Sequence, residues 1–352
     1  MNMFRRELSR TLEERLREPR SFIQVVMGPR QTGKTTAIKQ AVEAAGLPVR
    51  VASADSAIEL GADWIELEWR QARNMAERGT KAVLVLDEIQ KVAQWSQTVK
   101  RLWDEDSWND APLLVILSGS SSLLIGSGLS ESLAGRYELL RSTHWSLSEM
   151  SEAFGYNLSD YLEFGGYPGA AILKSDEDRW REYMRDSIVE STISRDVLQM
   201  ENVRKPALMR ALFELGAQYS AQELSYRKIL GQLDDKGNTD TIKHYLDLLS
   251  GAGMISGLQK FDDKPIKAKA SSPRLMVHDP ALMTSMWHGK GSLLEDPDLY
   301  GHLVETAVGA YLIARSAIDG FDLYWWRNGD LEVDFVLRRA RDITAIEVKS
   351  GR

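Results

Sequence analysis

Cysteine is absent from the 352 residues. That excludes disulfides, thiolate-held zinc and thiol catalysis, and it fits a reducing cytosol, so a cytoplasmic location is expected. Histidine is scarce: five are scattered along the chain, with no pair at metal-ligand spacing. No uninterrupted apolar run approaches the roughly 18 residues a membrane span needs. The first residues, MNMFRRELSRTLEERLRE, mix acids with arginine and have no apolar segment, unlike a secretory signal. An overall basic excess is missing too. The net charge of −7 excludes a uniformly basic coat for nucleic acid.

The charge is uneven, however. Residues 200–290 hold 13 Lys and Arg against 10 Asp and Glu, a basic segment in an acidic chain. The apolar share of 43% and the charged share of 27% are those of a soluble globular protein. The length calls for two or three folding units.

Residues 3–18 have helical spacing, with Phe4, Leu8, Leu12 and Leu16 on one face. FIQVVM at 22–27, AVLVLDEI at 82–89 and PLLVILSGSSSLL at 112–124 are apolar runs of strand length. Such runs suit parallel strands covered on both faces. Helical segments alternate with them, which predicts a doubly wound α/β domain. In that architecture ligands bind at the carboxyl ends of the strands.

Directly after the first run comes GPRQTGKTT, 28–36, which completes the pattern G-x-x-x-x-G-K-[ST]. The candidate nucleotide contacts are Gly28, Pro29, Arg30, Gln31, Thr32, Gly33, Lys34, Thr35 and Thr36. Glycines let the backbone curl so that its amides face phosphate oxygens, and the following helix N-terminus adds positive potential. Lys34 is expected at the β- and γ-phosphates of ATP, and the Thr35 hydroxyl at Mg2+. Asp87, at the end of the second run, is placed to hold the Mg2+ shell, and Glu88 to polarise the attacking water. Ser118 and Ser120 end the third run. They are candidates for the γ-phosphate or the water, or they simply cap a strand.

With LVLDEIQKV, LSGSSSLL, SESLAGRYELL and YLEFGGYPGA, the chain resembles an AAA+-related ATPase family of archaea and bacteria. The resemblance implies an α/β fold: a P-loop AAA+-type parallel-sheet core (1–140), a helical lid (141–200), a winged helix (201–290) and a C-terminal PD-(D/E)xK restriction-nuclease-like domain (291–352). It places Arg136 where such ATPases carry an arginine finger, offered to a neighbouring subunit. A guanidinium there stabilises charge that develops in phosphoryl transfer. The bland reading of Arg136 is a surface ion pair. A finger in trans implies a homo-oligomer, with a hexameric ring as one form.

For residues 237–255 the spacing predicts a helix with Ile242, Tyr245, Leu246 and Leu249 inward. Its outer face would carry Asn238, Lys243 and His244 toward DNA, while Asn238 or Thr239 caps it. KFDDKPIKAKASSPR, 260–274, has five basic residues against two acids, with Lys264, Lys267 and Lys269 expected at a DNA backbone. The same face would also serve as a protein contact.

In the tail, the resemblance to PD-(D/E)xK nucleases implies Asp334 and Glu347 as Mg2+ ligands, Lys349 beside the water and Glu305 as a further contact. The E-V-K step reads as one strand face. That nuclease core continues into another helix and strand, whereas the sequence stops at Arg352. An ordinary charged edge is the alternative. The leading expectation is an ATPase that remodels branched or broken DNA. The alternatives are a nucleotide-gated regulatory or defence switch that binds protein, and an ATP-controlled nuclease.

Overall fold

All five residues of β1 (Ile23–Met27) and all seven of β4 (Leu113–Gly119) are buried. Period-2 alternation then sends neighbouring side chains to opposite faces. Ile23, Val25 and Met27 join one core with Leu113, Val115 and Leu117. Val26 joins the other with Leu114 and Ile116. Both faces of the sheet are therefore apolar, as the continuous runs require.

The computed structural model describes residues 4–56, 61–76, 80–120, 129, 132–198, 203–233, 238–262, 271–289 and 294–351. Two compact units result, Met1–Ser142 and Thr143–Arg352. In the first, β1, β4, β2 (Val49–Ser53), β3 (Ala82–Asp87) and β5 (Tyr137–Arg141) form one sheet in the order β2-β3-β4-β1-β5. Every pairing is parallel. Helices α1 (Glu7–Arg17) and α2 (Lys34–Ala45) supply Leu12, Leu16, Ile38, Ala41 and Val42 to one face. Helices α3 (Ala62–Met75) and α4 (Trp95–Trp108) supply Ile65, Trp69, Val99 and Leu102 to the other. The topology places the phosphate loop beyond the carboxyl end of β1, with the ends of β3 and β4 next to it.

The second unit, Thr143–Arg352, takes in nearly all of the stretch for which the sequence leads one to expect a lid, a winged helix and a tail. Helices α5 (Leu147–Phe154) and α6 (Leu158–Phe164) each start on a capping box, from Ser146 and Asn157. Helix α7 (Glu177–Glu182) runs on into wide π turns at Tyr183–Glu190 and Ile193–Val197. Three helices follow: α8 (Pro206–Gln218), α9 (Tyr226–Gln232) and α10 (Thr239–Gly251). An antiparallel ribbon of β6 (Ile255–Leu258) and β7 (Arg274–Val277) comes after them. The short α11 (Pro280–Thr284) and the long α12 (Pro297–Asp319) lead to an antiparallel sheet of β8 (Asp322–Asn328), β9 (Leu331–Arg339) and β10 (Asp342–Ile346). The last strand stops at Ile346, so Glu347 and Lys349 lie beyond it and do not share a strand face. Trp325 is buried with Phe335 and Met276 in the tail core.

Candidate functional site: a phosphate loop with its acids

The loop is held from below. Gly28 runs so close to Ser142 that an added Cβ would sit 1.8 Å from the Ser142 carbonyl oxygen. The Ser142 N–H donates to Met27 O at 2.7 Å, continuing the β1–β5 pairing. Thr32 is buried and its Oγ1 donates to Pro29 O at 2.9 Å. Arg6, at the start of α1 and only 7% exposed, donates to Thr32 O at 3.0 Å and Ser142 Oγ at 3.4 Å. No motif marks Arg6 or Ser142. Their role appears only once α1 and β5 are folded around the loop. Pro29 and Arg30 are half-buried, while Gln31 and Thr36 face solvent.

Lys34 is buried, and its Nζ donates to Gly28 O at 2.9 Å and Pro29 O at 2.7 Å. The loop's own carbonyls thus act as acceptors for a cation that phosphate oxygens would also satisfy. Thr35 Oγ1 donates to Asp87 Oδ2 at 3.1 Å. The hydroxyl and the carboxylate predicted to share one metal ion are therefore in contact. Asp87 Oδ1 accepts from the Ser118 hydroxyl and, at 3.1 Å, from the Glu88 N–H. Hydrogen bonds fix both carboxylate oxygens of Asp87.

Glu88 has a left-handed backbone, φ 53, which costs a non-glycine residue about 1–2 kcal/mol. Its Oε2 accepts from Gln90 Nε2 at 2.5 Å and Ser120 Oγ at 3.2 Å. Strained backbone and two side-chain donors together fix one orientation of the carboxylate. Ser118 and Ser120 thus orient the two acids. Gln90, within IQK after the acids, gave no sequence signal of this role. The donor and acceptor set fits a Mg2+–nucleotide: amides and Lys34 for phosphates, Thr35 and Asp87 for the ion, Glu88 for a water.

Arg136 sits elsewhere. Its carbonyl accepts from the Ile23 N–H at 2.8 Å, at the start of β1, whereas the phosphate loop follows the end of β1. Its guanidinium grips Asp104 of α4 from Nε at 2.7 Å and Nη2 at 3.0 Å. The bond to Asp104 also raises the arginine's pKa.

In the second unit, Asn238 spends its side-chain oxygen on the Asp240 N–H at 2.7 Å, as the cap of α10. Ile242, Tyr245, Leu246 and Leu249 are buried as the spacing predicts. Lys243 is half-buried with its ammonium over the Tyr226 ring, and His244 is exposed. Lys264, Lys267 and Lys269 lie outside the described residues. Arg274, counted with them in the basic run, is instead turned inward and only 4% exposed.

Arg274 bonds two acids of β9. Nη2 reaches Glu332, and Nη1 reaches Asp334 at 3.3 Å. Asp334 Oδ2 accepts from the Val348 N–H at 2.7 Å. Lys349 Nζ donates to Glu347 Oε1 at 2.6 Å. Glu305 is half-buried on α12. Burial, and then the charge of Asp334, pushes it up to about 7. The charges of Asp334, Arg274, Glu347 and Lys349 all act on Glu305, yet both oxygens of Asp334 have partners. Among the described residues, no group of three or more His, Asp and Glu is set to hold a metal ion. A cavity of about 420 Å³ adjoins, lined in part by Arg274, His302, Arg327 and Glu332. No helix among the described residues is long and apolar enough to cross a membrane.

An AAA domain family matches residues 20–151. A domain of unknown function, DUF8612, matches 155–293, and another, DUF4143, matches 300–352. An uncharacterized protein of Methanocaldococcus jannaschii is 27% identical over 274 residues, covering 72% of this chain. The chain spans 58% of that relative's length. A Walker-type ATPase of Pyrococcus abyssi superposes with a TM-score of 0.58 at 14% identity, over 81% of this chain and 95% of the other. Over residues 20–151 the family match and the parallel sheet with its phosphate loop give an AAA-type P-loop ATPase fold.

Proposed function

We propose that this chain binds ATP with Mg2+ and hydrolyses it, using the energy to act on DNA. The contact of Thr35 with Asp87, beside the oriented Glu88 and the buried Lys34, carries the reading. Lys34 exchanges its bonds to Gly28 O and Pro29 O for phosphate oxygens. Thr35 and Asp87 would hold the ion, which would supply charge neutralisation at the phosphates. Glu88, with Ser120 and Gln90 fixing its carboxylate, aligns and polarises the attacking water. Arg136 leaves Asp104 and serves the site of a second copy, in a homo-oligomer.

DNA as the substrate is supported by the three helices and ribbon of 206–277, which suit a winged helix, and by the basic run at 260–269. A second reading has its own observation. Asn238 and Lys243 are engaged within the fold, which favours a nucleotide-gated switch whose helix–ribbon part meets protein. Turnover of ATP with duplex, single-stranded and four-way-junction DNA separates the two. Stimulation by one form supports the DNA reading. Steady turnover that ignores every form moves the assignment to the switch.

A further inference from the structure

The acids of the tail already have a cation among them, and it belongs to the chain. Arg274 opens β7 and reaches across to β9, where Glu332 and Asp334, two residues apart, share one face of the strand. Its guanidinium also lies 5.2 Å from the Trp325 ring centroid, so an apolar surface backs it. The other oxygen of Asp334 is bonded to the Val348 N–H.

Buried carboxylates need compensating charge, and removing that charge is costly. A guanidinium or a divalent ion can supply it. Both cannot occupy one position, because like charges a few ångströms apart repel strongly.

We infer that Arg274 is the resident cation of this acid cluster, so that Asp334 and its neighbours take a divalent metal only when the guanidinium is gone. The inference concerns the tail alone and stands whether or not the phosphate loop hydrolyses ATP.

The test uses the full chain, free of nucleotide, with Asp87→Asn to silence the phosphate-loop ion site. Thermal unfolding and Mn2+ binding by electron paramagnetic resonance are measured in that background. The same measurements follow with Arg274→Gln added, and with Arg274→Gln plus Asp334→Asn. The background should bind no Mn2+, and adding Mn2+ should leave its Tm where it was. Adding Arg274→Gln should lower the Tm, create one Mn2+ site and let Mn2+ restore several degrees. Adding Asp334→Asn should remove that site. An Arg274→Gln protein recovered folded only from Mn2+ medium gives the same support. Mn2+ bound by the background through Asp334 would overturn the inference. So would a folded Arg274→Gln protein that gains no Mn2+, or one that folds in neither medium.

Discussion

Asp104 holds Arg136 by two bonds, Nε to Oδ1 at 2.7 Å and Nη2 to Oδ2 at 3.0 Å. A two-point grip on a planar guanidinium fixes its direction. It also keeps Arg136 at the strand-start end of its own sheet, so any role at a phosphate belongs to another copy. On the proposed role in a second copy, Arg136→Ala should lower turnover by about 10³-fold or more. Glu88→Gln should lose roughly 10²–10⁴-fold by itself. Mixing the two impaired variants should restore activity, because one donates the arginine and the other the intact site. A mixture as silent as its parts would rule out action in trans.

Arg6 tests the support of the loop. It donates to Thr32 O and Ser142 Oγ from a buried position. Arg6→Ala leaves those acceptors short of a donor, at about 1–3 kcal/mol. The expected result is a lower Tm together with weaker nucleotide binding, read by fluorescence of a labelled nucleotide. A loss of stability with unchanged binding would make Arg6 a general packing residue.

Asp279 predicts a pH dependence. Its carboxylate is fully buried and accepts from the Gly166 N–H at 2.9 Å and the Ala281 N–H at 2.9 Å. Burial pushes it up to about 7, although the two N–H donors pull the other way. The folded state therefore binds its proton more tightly than the unfolded chain does. The resulting stability is fully present below the unfolded value near 3.8 and is lost as pH rises toward about 7. Buried His278 acts in the opposite sense, since burial lowers it to about 4. The difference between wild type and Asp279→Asn isolates the aspartate. In urea titrations the wild-type stability should fall, relative to the variant, between about pH 4 and pH 7. Parallel curves would contradict this assignment.

Gly165 and Gly166 sit against the same carboxylate. A Cβ on Gly166 would lie 2.2 Å from the Trp145 carbonyl oxygen, and one on Gly165 2.0 Å from Asp279 Oδ1. Gly166→Ala should cost about 1–3 kcal/mol or more, measured as a shift in the urea midpoint. A midpoint equal to wild type would mean that this loop yields easily.

The phosphate loop was legible because its chemistry is local. Eight consecutive residues between a buried strand and a helix define it, and the acids end the next apolar run. Gln90, Arg6 and Ser142 were not legible. They are brought to the loop and its acids by a strained turn, a preceding helix and an edge strand. The order of the sheet was likewise closed to one-dimensional reading, since β1 lies between β4 and β5 only by pairing. Arg274 shows the converse limit. Counted among lysines it looked like part of a basic surface, yet its strand turns it into the tail, where two acids receive it. Charge counts along a sequence do not say which charges are already paired.

ATP hydrolysis by wild type and Glu88→Gln, with nucleotide binding measured on both, tests the central claim most directly. The account predicts turnover by wild type and loss of roughly 10²–10⁴-fold in the variant, which keeps its affinity for ATP with Mg2+. Equal turnover by the two proteins, or none by a wild type that binds ATP, would contradict it.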